Sequence, residues 1–152
     1  MTYISYQGND HDCGFAGLRM LLANVSKNKS YLYISKPQKK KNYTYYDLIR
    51  YARRYGFRLV AYKLLNNEYM KIPDQSLVLL KTNHMVYINK IHKRHVTIYD
   101  PAYGKERLSI KEFLSLWDGT LLTCVNKDYA LDIDYKKPRF VPVWMDIARS
   151  HA

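Results

Sequence analysis

The first strongly patterned stretch of the chain is an apolar run that follows an irregular, polar segment. Its large apolar side chains recur at intervals close to 3.6 residues, at Phe15, Leu18, Leu22 and Val25. This spacing predicts an amphipathic helix with one buried face, and Cys13 is its first residue. Gly14, Ala16 and Gly17 are small, so we expect them to leave the surroundings of the thiol open.

Two further helices are predicted from capping boxes, in which a Ser or Thr and an acidic residue three positions later satisfy each other's backbone N–H groups. Thr44 and Asp47 form such a pair, and Gly56 is placed to end the helix that follows. Ser109 and Glu112 form the other pair, ahead of another apolar stripe.

Most of the remaining chain is predicted to form β-strands, and the segment 57–64 alternates between polar and apolar residues as strands do. The predicted strands are 57–64, 76–81, 84–91, 95–100 and 120–125, the last after a turn at Asp118-Gly119. The helices come mainly first and the strands second. We therefore expect an α+β fold in which N-terminal helices pack on an antiparallel sheet as two layers.

A short charged segment joins the strands 84–91 and 95–100, which predicts a β-hairpin. With the turn centred on His92, the register places His84 directly opposite Asp100 at the open end of the hairpin. The same register forms an apolar ladder from the pairs Val86–Ile98 and Ile88–Val96.

These positions carry the residue types of nucleophilic catalysis. A helix N-terminus favours the thiolate of Cys13 and lowers the thiol pKa. The carboxylate of Asp100 would orient the imidazole of His84 and stabilise its protonated form, as a base that serves a cysteine requires. Gln7 precedes Cys13 by six residues, so its side-chain amide and the Cys13 backbone N–H could together bind an oxyanion.

The same residues carry a family resemblance. Gln7, the run Asp12-Cys13-Gly14, His84 at the start of a strand, and Asp100-Pro101 with the later Gly104 resemble the bacteriocin-processing double-glycine leader peptidases. Those are papain-like domains usually found at the N-terminus of peptidase-containing ABC transporters. The likeness extends from Tyr3 to Val125, and "YTYYDL" departs from it by replacing the family's usual glycine-containing stretch between the helices.

The resemblance implies a papain-like fold and a role for each residue. Cys13 would be the nucleophile, His84 the general base and acid, Asp100 the residue that orients His84, and Gln7 the oxyanion donor. The implied reaction is hydrolysis after a Gly-Gly or Gly-Ala pair that ends the leader of a bacteriocin or other ribosomal peptide precursor. No cofactor and no metal is implied.

The implied partners are a leader peptide and an ABC transporter. Leaders of this class are often amphipathic helices with acidic faces, which suits the chain's net charge of +12. The transporter's membrane and ATPase domains would act in cis or in trans, with the peptidase in the cytoplasm at the inner face of the membrane. No nucleic acid is implied.

Length and composition predict one globular domain, which we place at 1–126, followed by a polar C-terminal tail or linker at 127–152 that could lead toward a transporter membrane domain. No apolar run reaches the length of a membrane span. The two cysteines, Cys13 and Cys124, and the absence of a signal peptide suggest a reducing compartment. The chain is either a free-standing peptidase or the excised domain of a transporter.

Three alternatives stay open at this point. The positive charge and 16 tyrosines would also suit a non-catalytic domain that binds nucleic acid. The Cys-His-Asp chemistry could serve a papain-like hydrolase of another substrate class. A zinc site is the third alternative, although its spacings lack a matching second pair, and its candidate ligands are His11, Cys13, His92, His95 and Cys124.

We predict that Cys13 is far more reactive than Cys124, because only Cys13 combines a helix N-terminus with a histidine partner. Limited alkylation at mildly acidic pH, followed by peptide mapping, should label Cys13 first. Preferential labelling of Cys124 would contradict the assignment of the nucleophile.

Overall fold

The computed structural model describes residues 1–6, 14–36 and 43–125, together with the backbone of 141–142 and of Cys13. The helices are α1 (Cys13–Ser26), α2 (Tyr45–Arg54) and α3 (Ile110–Leu116), with short 3₁₀ helices at Lys29–Tyr33 and Asn66–Lys71. The strands are β1 (Leu59–Lys63), β2 (Ser76–Leu80), β3 (His84–Ile91), β4 (His95–Asp100), β5 (Gly104–Ser109), β6 (Trp117–Cys124) and β7 (Val141–Pro142). All pair antiparallel in one sheet of order β5-β4-β3-β2-β6-β1-β7.

The helix termini follow the predicted local signals. Helix α1 begins at Cys13, and its predicted apolar face is buried. Both capping boxes are present, and in the first the Thr44 hydroxyl accepts from the Asp47 N–H at 3.1 Å. Gly56 has φ +89° and ends α2 as expected, since the N–H of Phe57 reaches back to the carbonyl of Ala52 at 3.0 Å.

The sheet is buried on both faces, so the prediction of two layers was incomplete. Successive residues of β2 alternate between two apolar clusters: Leu77 and Leu79 pack under α1 and α2, whereas Val78 and Leu80 pack on the opposite face with Phe113 of α3. Every residue of β2 is buried. The near-continuous apolar run "SLVLL" is the sequence signal for this, since half-buried strands alternate instead.

The predicted register of the β3–β4 hairpin was wrong by two residues. Ile88 opposes Ile98, rather than Val86 opposing Ile98, and the bulge between Ile88 and Ile91 sets Asn89 and Lys90 against a single residue of β4. The predicted pair Ile88–Val96 and the direct opposition of His84 and Asp100 were wrong for the same reason. Because the slip is an even number of residues, each side chain keeps its predicted face of the sheet.

Strand β5 was not predicted. Its central residues Lys105, Glu106 and Arg107 are exposed and charged, so the apolar alternation that marks a half-buried strand is missing. It pairs with β4 along its whole length, from His95 with Ser109 to Asp100 with Gly104. An edge strand can therefore form through backbone pairing even when its sequence shows almost no alternation of apolar residues.

Asp118-Gly119 is not a turn, as was predicted, but part of β6. Gly119 has φ +95°, and the register of β6 with β2 shifts at this point. The Leu64 N–H donates to the Gly119 carbonyl at 2.8 Å. A glycine inside a strand marked a bulge here, where the backbone of another segment approaches closely.

Most of the predicted C-terminal tail lies outside the described residues. Within it, Val141 pairs with Lys63 and Pro142 with Tyr62, which adds β7 to the edge of the sheet beside β1. None of the helices in the described part of the chain has both the length and the apolar character needed to cross a membrane.

Gly56 and Gly119, two of the glycines with positive φ, make a matched pair for a stability test. A Cβ at Gly119 would lie 3.0 Å from the Leu64 carbonyl oxygen, whereas a Cβ at Gly56 would meet nothing within 4 Å. Gly56→Ala should cost about 1 kcal/mol through backbone strain alone, and Gly119→Ala clearly more because a backbone atom must also move. Urea unfolding followed by circular dichroism measures both; equal losses would contradict the close approach at the bulge.

Candidate active site

His84 and Asp100 meet at one end of the sheet. The His84 Nε2 lies 2.7 Å from Asp100 Oδ1, and the two side chains are 23% and 11% exposed. The register of β3 with β4, continued by one residue, sets Asp100 opposite Val86, so His84 reaches it diagonally. The predicted contact is therefore present, although the register that predicted it was wrong.

The carboxylate of Asp100 is held by its own turn. Oδ1 accepts the backbone N–H of Ala102 at 2.8 Å as well as the contact from His84. Asp and Asn side chains commonly bind the backbone two residues on, and this fixes the acceptor before the imidazole approaches. Since Nε2 faces Asp100, Nδ1 is the nitrogen of the ring that would exchange a proton with a nucleophile.

Helix α1 runs toward this same end of the sheet. Its C-terminal part lies at the start of β2, where the Gln75 amide donates to the Asn24 carbonyl at 3.0 Å. In its first half, a Cβ on Gly17 would lie 3.2 Å from Leu77 Cδ2 and 3.6 Å from Met85 Cγ. Cys13 begins the helix one turn before Gly17, so the helix N-terminus is at the end of the sheet where β3 starts.

The small residues of the first half of α1 allow other segments to pack closely against the helix. A Cβ on Gly14 would approach Tyr43 Cβ to 3.1 Å, and Gly17 admits the side chains of Leu77 and Met85. Ala16 is fully buried. The Cys13 thiol lies outside the described side chains, so the expectation that these three residues leave its surroundings open stays a prediction.

Gln7 lies outside the described residues, but the segment before it is fixed at both ends. Near its start, Asn24 binds the backbone of Tyr3 twice, through Oδ1 at 2.8 Å and Nδ2 at 2.9 Å. At its end, a Cβ on Gly104 would lie 3.5 Å from the Tyr6 hydroxyl, and Gly104 is paired with Asp100. The described chain before Gln7 therefore ends beside the turn that follows Asp100.

The sequence analysis missed the contacts that Asn24 makes with Tyr3 and that Tyr6 makes beside Gly104. Asn24 is buried inside α1, where an amide is unusual, and this was the available signal. Tyr6 had no comparable signal, because its contact with Gly104 depends on how the N-terminal segment crosses the molecule.

The remaining candidate ligands of the zinc alternative are scattered or lie outside the described side chains. Cys124 is buried at the end of β6, as expected. His92 and His95 stack at the β3–β4 turn with ring centroids 4.6 Å apart. The pKa of His95 is lowered mainly by desolvation and also by the positive charge of Arg107. Among the described residues, no three His, Cys, Asp or Glu side chains come together in a group that could hold a metal ion.

Comparison with known proteins decides the family. The model of the Peptidase C39 family matches residues 1–129. The chain belongs to the Peptidase C39 family. This confirms the resemblance drawn from the sequence, and it makes the chain a member of a cysteine peptidase family.

One curated relative of this C39 domain is named as part of a transporter. A putative ABC transporter ATP-binding protein of Mycoplasma genitalium is 25% identical over 126 residues, which are 79% of this chain and 19% of that protein. The chain thus spans about a fifth of that relative's length.

Two solved structures show the papain-like C39 fold. One is a double glycine motif protease from an AMS/PCAT transporter in complex with the leader peptide; its TM-score is 0.67 at 21% identity, with 82% of this chain and 91% of that chain covered. The other is the peptidase domain of Streptococcus ComA, a bi-functional ABC transporter involved in quorum sensing, with the same TM-score and identity and 98% of that chain covered. The predicted fold class is confirmed.

Asp100 Oδ1 contacts both His84 and the Ala102 N–H, so two substitutions that remove first the charge and then the acceptor can test its role. Asparagine keeps this oxygen but loses the charge, so Asp100→Asn should lower kcat/KM for peptide hydrolysis by about tenfold, the difference between a charged and a neutral hydrogen bond. Asp100→Ala removes the acceptor as well and should cost about 100-fold.

The pH–rate profile distinguishes orientation of His84 from a purely structural role. In Asp100→Asn the imidazolium is less stabilised, so the alkaline limb of the profile should move to lower pH. Equal losses in both variants with an unshifted profile would contradict the role of Asp100.

Proposed function

We propose that this C39 domain is a cysteine endopeptidase that removes the leader of a bacteriocin or other ribosomally made peptide after a Gly-Gly or Gly-Ala pair. Cys13 is the nucleophile, His84 the general base and acid, Asp100 the residue that orients His84, and Gln7 an oxyanion donor. The observation that carries the proposal is the 2.7 Å contact of His84 with Asp100 at the end of the sheet toward which α1 directs its N-terminus.

The proposed reaction uses both nitrogens of His84. Nδ1 takes the proton of the Cys13 thiol, and the thiolate attacks the carbonyl carbon of the last leader residue. Asp100 stabilises the resulting imidazolium through Nε2. Nδ1 then returns the proton to the departing amine, which leaves a thioester, and water hydrolyses this thioester with His84 again acting as the base.

The helix N-terminus contributes in two ways. It favours the thiolate before attack, through the positive end of the helix dipole. The Cys13 backbone N–H, together with the Gln7 side-chain amide, would then bind the oxyanion of the tetrahedral intermediate. Two facts support the participation of Gln7: it directly follows Tyr6, and Tyr6 lies against Gly104 next to Asp100.

The proposed substrate class rests on the family and on the solved relatives. One relative is a double glycine motif protease in complex with a leader peptide, and another belongs to an ABC transporter. We propose that this chain likewise binds an amphipathic, acidic leader helix and positions the scissile bond through that remote contact. The transporter's membrane and ATPase domains are the second partner, which places the peptidase at the inner face of the cell membrane.

Specificity for small residues is the claim that separates a leader peptidase from a general papain-like enzyme. In a narrow channel beside Cys13, replacing the final leader Gly with Val should lower cleavage by at least about 100-fold through steric exclusion. A short Gly-Gly peptide without the leader helix should also be a poor substrate, because the remote binding energy is lost.

Mass spectrometry of three reactions tests this: the full precursor, its Gly-to-Val variant and the truncated peptide. The Cys13→Ala variant serves as the inactive control, and its affinity for the full precursor and for the Gly-to-Val variant should be alike. Comparable cleavage of all three substrates would mean that the substrate class is wrong even if Cys13 and His84 catalyse hydrolysis.

A further inference from the structure

Within the described part of the chain, one face of α2 is exposed along the whole helix and carries positive charge that no described carboxylate compensates. The exposed residues Tyr46, Arg50, Arg53 and Arg54 stand at positions i, i+4, i+7 and i+8, which is one stripe of a helix. The opposite stripe is buried against the sheet. We call the exposed residues the α2 stripe.

The positive charge of the α2 stripe is not neutralised by the surrounding described residues. The only acidic residue of the helix is Asp47, and its carboxylate accepts the Thr44 N–H at 2.9 Å in the capping box. Arg50, Arg53 and Arg54 form no ion pair and no hydrogen bond with any residue that the structure describes. Among the described residues, three guanidinium groups therefore share one helix face without a carboxylate partner.

Aromatic rings hold two of these guanidinium groups. The Arg50 guanidinium lies 5.5 Å from the ring centroid of Tyr46, and that of Arg54 lies 4.7 Å from that of Tyr51. These contacts restrict the long side chains and so reduce the entropy lost when they bind an anion. Each guanidinium also occupies one face of its ring, so that face is not open to a stacking base, which favours a phosphate ligand.

We propose that the α2 stripe docks on an anionic phospholipid surface. A helix face is convex, so it fits an extended, flat array of phosphates better than it encloses a single anion. Arginine and tyrosine are residue types suited to the headgroup region, where the charged or polar end binds phosphate and the apolar part meets the lipid. Lipid contact goes beyond peptide hydrolysis and does not depend on it.

Vesicle co-sedimentation tests the proposal on the full chain. Wild-type protein should bind vesicles of phosphatidylcholine mixed with phosphatidylglycerol and should not bind phosphatidylcholine alone. The triple variant Arg50→Gln, Arg53→Gln, Arg54→Gln should bind the anionic vesicles about 100-fold more weakly, because each basic residue at an anionic surface contributes about fivefold. The corresponding triple Lys variant keeps the charge and should retain binding.

A second triple variant controls for net charge. Lys93→Gln, Lys105→Gln, Lys111→Gln removes the same charge from exposed positions outside α2 and should bind nearly as well as wild type. Equal loss in both Gln variants would mean that overall charge, not the α2 stripe, drives binding, and would overturn the proposal. Binding to neutral vesicles, or retained binding by the α2 variant, would also overturn it.

Cleavage of a leader precursor in solution separates this proposal from the peptidase function. The α2 Gln variant should cleave at the wild-type rate and show the wild-type circular dichroism spectrum, since the proposal assigns the stripe to lipid and not to the triad or to the leader. Loss of binding to an acidic peptide or to single-stranded DNA in this variant, with no vesicle binding by wild type, would assign the stripe to another partner and refute the lipid proposal.

Discussion

The contact of α1 with the sheet at Gly17 governs the arrangement of the site. Because residue 17 has no side chain, Leu77 and Met85 can lie directly against the helix, and a Cβ there would already stand 3.2 Å from Leu77 Cδ2. Met85 follows His84 in β3, and Cys13 precedes Gly17 by one helical turn. One close-packed layer therefore determines the separation between the helix N-terminus and the strand that bears the imidazole.

Asn24 joins two chain segments that run to the same end of the sheet. It lies in α1, and its side chain binds the Tyr3 backbone in both directions while also donating to the Met20 carbonyl at 2.7 Å. The helix and the N-terminal segment thus share an anchor at the far end from His84. This buried amide with three hydrogen bonds contributes more to the free energy of unfolding than its buried area suggests. Removing it would leave the backbone groups of Tyr3 and Met20 without their hydrogen-bond partner.

The sequence was sufficient wherever one local rule controls the structure. Helix α1, the Thr44 capping box and the Gly56 terminus depend on neighbouring residues only, and all were predicted correctly. The register of β3 and β4 failed because a bulge depends on the neighbouring strands, not on the turn residues alone. The pairing of His84 with Asp100 survived this error, since a two-residue slip leaves both on the same face and within diagonal reach.

Strand β5 forms one edge of the sheet, and its exposed residues are Lys105, Glu106 and Arg107. These side chains affect whether another extended chain can pair with this edge. An open strand edge is a template on which extended chains can add by backbone hydrogen bonding. Charged side chains of both signs along that edge make such addition unfavourable for an apolar segment. The β5 edge therefore disfavours the addition of a second chain to the sheet on the side of the hairpin that bears His84.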